Sequence, residues 1–217
     1  MKLFKDRVDA GRQLAGRLLN FAGRDDVIVM ALPRGGVPVA FEVAGRLNAP
    51  LDVFVVRKLG VPYEEELAMG AIASGDVLVL NEDVFRMVNI PRETVERIAA
   101  QERTELERRE QLYRGGRPRP DVQHRTVILV DDGMATGASM RAAIAALKAL
   151  KPAWIVVAVP VAPAETCDAV GEEVDEIICD VTPDRFMAVG SWYEDFAQIS
   201  DREVRDLLDQ AAASLAA

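Results

Sequence analysis

Two adjacent carboxylates, Asp131 and Asp132, end an unbroken apolar run at 127–130, and a turn rich in glycine and hydroxyl residues follows: Gly133, Thr136, Gly137 and Ser139. Beyond that turn Met140, Ile144 and Leu147 recur on one helical face. The order describes a buried strand that delivers two acids to its C-terminal end, then a backbone nest that opens a helix. Free N–H groups and the dipole at a helix start attract phosphate, whereas paired acids suit sugar hydroxyls or a hydrated Mg²⁺. One site built this way would hold a phosphorylated sugar at both ends. The plainer alternative is a solvated Asp pair before an ordinary turn.

The commoner phosphate loops do not fit. No Lys precedes the hydroxyl residue, as GxxxxGK[ST] requires, and the GxGxxG spacing is absent. The string TVILVDDGMATGASM at 126–140 closely resembles the motif with which type I phosphoribosyltransferases bind PRPP (5-phosphoribosyl 1-pyrophosphate). The resemblance implies that Asp131 and Asp132 contact the ribose 2- and 3-hydroxyls, and Mg²⁺ through those hydroxyls or water. It also implies that Ala135, Thr136, Gly137, Ala138 and Ser139 grip the 5-phosphate.

It extends to two further segments. Leu32-Pro33-Arg34-Gly35-Gly36-Val37 occupies the place of the family's pyrophosphate loop, which in many members includes a cis or strained peptide. Two glycines make such a backbone feasible, and Arg34 adds charge; alternatively the pair relieves crowding in a strand-to-helix turn. Arg57-Lys58 lies where the family places basic residues beside a flexible catalytic hood, so both are pyrophosphate candidates. Lys58 joins Asp131 and Asp132 as a catalytic candidate, because the departing pyrophosphate needs electrostatic stabilisation. A solvated Arg-Lys pair is the alternative.

One departure from the family is informative. Ala135 stands where enzymes acting on 6-oxopurines generally carry an Asp that assists proton transfer, and A-T-G at this point is closer to the adenine-specific branch. Glu64, Glu65 and Glu66 are either a base on a closing loop or a solvated charge run. Phe186, Trp192 and Tyr193, in a chain that is only 6% aromatic, either stack on an acceptor base or pack against the sheet edge.

The elements that must position these groups follow from periodicity. Phe4, Val8, Leu14, Leu18 and Leu19 predict an N-terminal amphipathic helix, and 27–32 and 51–56 predict buried strands. Pro38 suits the first turn of a helix whose inner face carries Val39, Val43 and Leu47. LGVPYEEELA at 59–68 predicts a mobile loop, followed by short strands at 69–73 and 77–80. A long charged helix is expected over 91–112, with Glu93–Arg97 and Glu105–Arg109 at helical spacing. The basic stretch 114–125 is a connector that either links elements or touches an anion. Strands at 153–161 and 174–179 and helices at 163–170 and 201–215 complete the pattern.

The fold class is therefore α/β: a mostly parallel twisted sheet with helices on both faces. It is read as one domain over 1–217, with a strand/helix insertion at 74–125 and a candidate C-terminal hood at 180–200.

Composition removes other classes. His124 is the only histidine, which excludes Ser-His-Asp, Cys-His and multi-histidine metal chemistry; it is expected at the surface. Cys167 and Cys179 read as buried thiols, too few for a disulfide framework or a zinc site. A net charge of −9 opposes general nucleic-acid affinity. No apolar run approaches the roughly 20 residues that cross a bilayer, and the charged N-terminus lacks a secretory core, so a cytoplasmic protein is expected.

The resemblance thus implies a Mg²⁺-dependent phosphoribosyltransferase. Its partners would be PRPP and a small heterocyclic acceptor, and a homodimer is possible. The alternative is a PRPP- or nucleotide-binding regulator on the same fold without turnover.

Overall fold

The computed structural model describes residues 4–62, 64–75, 77–81, 84, 87–88 and 90–215, with the side chains of 64–68 outside that description. Five parallel strands form a sheet in the order β2-β1-β6-β7-β8, where β1 is Val27–Ala31, β2 Leu51–Val53, β6 Thr126–Val130, β7 Trp154–Val161 and β8 Glu176–Val181. Every residue of β1 and β6 is buried, which explains their unbroken apolar runs: both faces of a parallel sheet are covered.

Alternate side chains enter two cores. Val27, Val29 and Ala31 join Ile128 and Val130 on one face, beneath α1 (Arg7–Arg17), α2 (Gly36–Leu47) and α6 (Asp201–Leu215). Ile28 and Met30 join Val127 and Leu129 on the other, beneath α4 (Ala138–Ala149) and α5 (Ala164–Gly171). Each fully buried aliphatic side chain contributes about 1.5–3 kcal/mol.

The chain leaves β1 through α2 to reach β2 on one side, whereas β6 pairs on the other side of β1. The strand order therefore reverses between β1 and β6, and the crevice beyond their C-terminal ends is where such sheets bind ligands. Their register pairs Ala31 with Val130, so the loops at 32–36 and 131–137 leave from one level.

A second, antiparallel sheet of β3 (Val56–Val61), β4 (Glu64–Ala73) and β5 (Val77–Leu80) packs with α3 (Arg92–Arg114). Here the structure corrects the sequence reading. The expected strand at 51–56 stops at Val53, and the chain changes sheets through buried Phe54 and Val55. A continuous apolar run carries no mark of that change, because the burial is uninterrupted.

Residues 59–61 and 64–68, expected as a mobile loop, belong to the β3–β4 pair. Leu59 and Val61 anchor it in the core, while Gly60 sits at a register shift. The antiparallel unit begins at Val56. The side chains of Glu64, Glu65 and Glu66 lie outside the described residues.

The basic connector is largely consumed by internal contacts. At the end of α3, Arg114 lies 2.9 Å from Asp52 and 2.6 Å from Glu110, and donates to the Val53 carbonyl. Arg119 adds a second contact to Glu110, and Arg125 donates to the carbonyls of Asp25 and Val27. His124 is exposed, as expected. Glu105–Arg109 forms, whereas Arg97 donates to Gln101.

The cysteines also correct the reading: Cys167 on α5 and Cys179 on β8 form a disulfide, with Cα atoms 6.7 Å apart. α5 packs directly on β8, so residues separated by 12 positions meet across a helix–strand contact that composition does not reveal. Such bonds persist in oxidising compartments and are rare in reducing ones. Among the described residues no helix is long and apolar enough to cross a membrane. Closing a loop of this length contributes about 3 kcal/mol. Reduction should lower the thermal midpoint reversibly, and intact-mass analysis after alkylation without reductant should find no modified cysteine; two alkylated cysteines would refute the bond.

Candidate active site

The acid pair and the glycine loop face each other across the switch point. The Leu32 N–H donates to the Val130 carbonyl at 2.8 Å, continuing the β1–β6 pairing one step beyond the strands. The chain then turns through a cis peptide between Pro33 and Arg34, as the family resemblance implies for this loop, and the Gly36 N–H closes onto the Leu32 carbonyl. Gly35 has ordinary right-handed helical angles, so its lack of a side chain answers to crowding: a Cβ there would fall onto the Asp132 carboxylate. At Gly36 it would lie 2.7 Å from the Val130 carbonyl oxygen.

Asp131 and Asp132 are half-buried. The Asp132 N–H donates to Asp131 Oδ1 at 2.8 Å. Burial, then the neighbouring Asp132 charge, pushes the Asp131 carboxyl well above the usual carboxylate range. Burial also raises Asp132, against the opposing pull of Arg7.

Arg7 was not legible as a site residue. Its Nε donates to Asp132 Oδ2 at 2.7 Å from the first residue of α1, 125 positions away. The only signal in the sequence was an arginine at the head of an amphipathic helix, which reads as solvated until the fold brings the helix to the acids.

Residues 135–139 form a loop-to-helix junction. Ala135, Thr136, Ala138 and Ser139 are exposed, and Gly137 takes a left-handed φ of 73° immediately before α4. Thr166 on α5 steadies the loop by donating to the Ala135 carbonyl at 2.8 Å. The N-cap residue Gly137 has no side chain to cap the start of α4, and Thr136 Oγ1 accepts only a long 3.4 Å bond from the Ala138 N–H; helix starts of this kind bind anions.

The basic candidates are dispersed. Arg34 lies 3.8 Å from Asp201 at the head of α6, and Tyr113 donates to the same carboxylate oxygen at 2.8 Å. Burial and Asp201 push the Tyr113 phenol up to about 12. Arg57 and Lys58 lie within β3 rather than at the end of a parallel strand. Arg57 donates to Glu102 of α3 at 2.6 Å, and Lys58 is exposed.

The hood aromatics separate. Trp192 and Tyr193 are buried with Phe4, Ala10 and Val161, and the Tyr193 hydroxyl donates to the Asp132 carbonyl at 2.6 Å. Their burial supports packing over base stacking. Burial is also what pushes the Tyr193 phenol up, so it stays a donor. Phe186 is only partly buried against this cluster.

Among the described residues, no group of three or more acidic, histidine or cysteine side chains could hold a metal ion. Two hard carboxylates nevertheless suit Mg²⁺, which keeps several waters and takes substrate phosphate oxygens.

With that geometry established, comparison with known proteins gives the class. Residues 4–194 match the family described as phosphoribosyl transferase domain, and the chain belongs to it. It is 48% identical over 211 residues to the Mycobacterium tuberculosis protein named "Putative phosphoribosyl transferase Rv0571c", covering 97% of this chain and 47% of that one. The chain thus spans about half the length of the curated relatives it matches. The crystal structure of TT1426 from Thermus thermophilus superposes with a TM-score of 0.87 at 42% identity, over 97% of this chain and 99% of that one. At the level of fold alone, a Neisseria gonorrhoeae hypothetical protein with bound ppGpp has a TM-score of 0.51 at 13% identity, covering 97% of each chain.

The Gly35 contact yields a sharp comparison. Gly35→Ala should destabilise the protein by about 1–3 kcal/mol through overpacking and displace the Asp132 carboxylate. Gly16→Ala, in α1 with nothing near its Cβ position, should stabilise by up to about 1 kcal/mol through helix propensity. Urea unfolding of both variants checks the pair; equal midpoints would mean that Gly35 and Asp132 are not in close contact.

Proposed function

We propose that the chain transfers the 5-phosphoribosyl group of PRPP to a nitrogenous heterocycle, releasing pyrophosphate. The observation that carries this reading is the convergence, at one switch point, of the acid pair, the start of α4 and the glycine loop at 35–36. These are an acceptor pair for sugar hydroxyls, a cradle for a terminal phosphate and a close-approach backbone for a diphosphate.

In this reading Asp131 and Asp132 accept the ribose hydroxyls, and the N–H groups around 135–139 hold the 5-phosphate. Arg34 and the 35–36 backbone bind pyrophosphate. A ring nitrogen of the acceptor forms the new bond to the anomeric carbon as the bond to the pyrophosphate oxygen breaks, with inversion. The electron pair leaves with pyrophosphate, and the acceptor proton passes to solvent or to a carboxylate.

Arg34 exchanges its loose contact with Asp201 for the diphosphate as charge builds on the leaving oxygens. Lys58 and Arg57 on β3 are the further candidates for positive charge beside the diphosphate, Arg57 once it releases Glu102. Mg²⁺, held by substrate oxygens and by Asp131 and Asp132 through hydroxyls or water, would supply further charge neutralisation. Most of the rate enhancement then comes from alignment and preorganised charge.

Ala135 places no carboxylate beside the base, which favours an acceptor unlike a 6-oxopurine. Of Phe186, Trp192 and Tyr193, Phe186 is the one left partly exposed for contact with it.

Pyrophosphate release from PRPP and Mg²⁺ across a panel of purines, pyrimidines and related heterocycles, with calorimetric PRPP binding alongside, tests the proposal. One acceptor should support release. Asp131→Asn/Asp132→Asn should lower turnover by at least about a hundredfold without unfolding the protein. PRPP binding with no release would favour a sensor, and absence of binding would overturn the PRPP site.

A further inference from the structure

We infer that Arg7 is a positioning residue that locks the Asp132 carboxylate in its working orientation by pinning it between the N-terminal helix and the C-terminal segment 193–197; this rests on the PRPP reading above. The two ends of the matched domain are stitched together beside the acid pair. Phe4 forms a parallel bridge with Tyr193: its N–H donates to the Trp192 carbonyl at 2.9 Å, and its own carbonyl accepts from Glu194 at 2.8 Å. The Asp195 N–H donates to the Lys5 carbonyl at 2.9 Å.

Arg7 emerges from this junction with a side chain only 9% exposed. Nε reaches Asp132 Oδ2 at 2.7 Å and Nη1 reaches the Ala197 carbonyl at 2.8 Å. The guanidinium lies over the Phe196 ring, 3.8 Å from its centroid. Tyr193 holds the main chain of the same aspartate through its carbonyl, and Gly35 lies against the carboxylate itself. Asp132 is thereby constrained at the side chain, the backbone and the surface beneath.

The chemistry needs arginine specifically. A planar guanidinium satisfies two acceptors in fixed directions while stacking on a ring, whereas an ammonium is a compact charge that cannot do all three. Nothing in α1 packing demands this: the apolar contacts of the helix are made by Ala10, Leu14 and Ala15. The cost of burying a charged pair is placed beside a carboxylate that is offered to the substrate.

Arg7→Lys and Arg7→Met should weaken PRPP binding by about ten- to a hundredfold, the range for losing a hydrogen bond to a charged group. Binding of inorganic pyrophosphate without Mg²⁺ should weaken less than PRPP binding, because that ligand has no ribose hydroxyls for Asp131 and Asp132 to accept from; a merely structural loss would weaken both equally. Phe196→Ala, which loosens the guanidinium without touching Asp132, should give a smaller loss of the same selectivity and covers the case in which Arg7→Met fails to fold. Equal PRPP affinity in wild type and Arg7→Lys would overturn the inference. If wild type binds no PRPP, the PRPP reading fails. Crystal structures of the variants then decide the lock separately: a displaced Asp132 carboxylate with an intact 193–197 segment supports it, and an unmoved one refutes it.

Discussion

The in-register pairing of β1 with β6 is the constraint from which the site follows. Ala31 opposite Val130 sends two loops out at one level, separated by a strand spacing of about 4.8 Å. Two loops that close have no room for side chains at their nearest point, and Gly35 and Gly36 stand where that point falls. The same approach sets the Asp132 carboxylate directly against Gly35. Shifting the register by one residue would turn every β6 side chain to the opposite core and separate the acids from the glycines.

Around that crevice the protein arranges charge unequally. Asp131 shares its surroundings with a second carboxylate, and burial and repulsion both favour its neutral form. Asp132 has a buried guanidinium beside it. Arg34 is held only loosely by Asp201, while Arg57 is engaged by Glu102. Both arginines thus rest on carboxylates of α3 and α6. The buried Arg114–Asp52–Glu110 cluster has a different task. It fixes the end of α3 to β2 and so holds the antiparallel unit to the parallel sheet.

The site was legible in part because its residue types are few and local. Asp131, Asp132 and the loop at 135–139 are contiguous, and the strand and helix flanking them carry clear periods. The 32–36 loop was legible for the same reason. Arg57 and Lys58 were misplaced because an apolar run through 51–56 hides the step from one sheet to another. The hairpin at 56–73 was hidden by turn residues and charges that resemble a loop, since its stability comes from packing Leu59 and Val61 into the core. Tyr193 and Trp192 stood out as rare aromatics, yet their burial against Phe4 depends on a contact nearly 190 residues apart in sequence.

Local sequence specifies the alternation of strands and helices, the two apolar faces of the sheet, and the placing of the acid pair before a glycine- and hydroxyl-rich turn. All of these are written in patterns no longer than a single strand, turn or helix. The partition into two sheets, the Cys167–Cys179 bond, the burial of the hood aromatics and the union of Arg7 with Asp132 emerge only when the chain is packed. Each is a meeting of segments whose local patterns are satisfied equally well apart, so packing geometry alone chooses the partner.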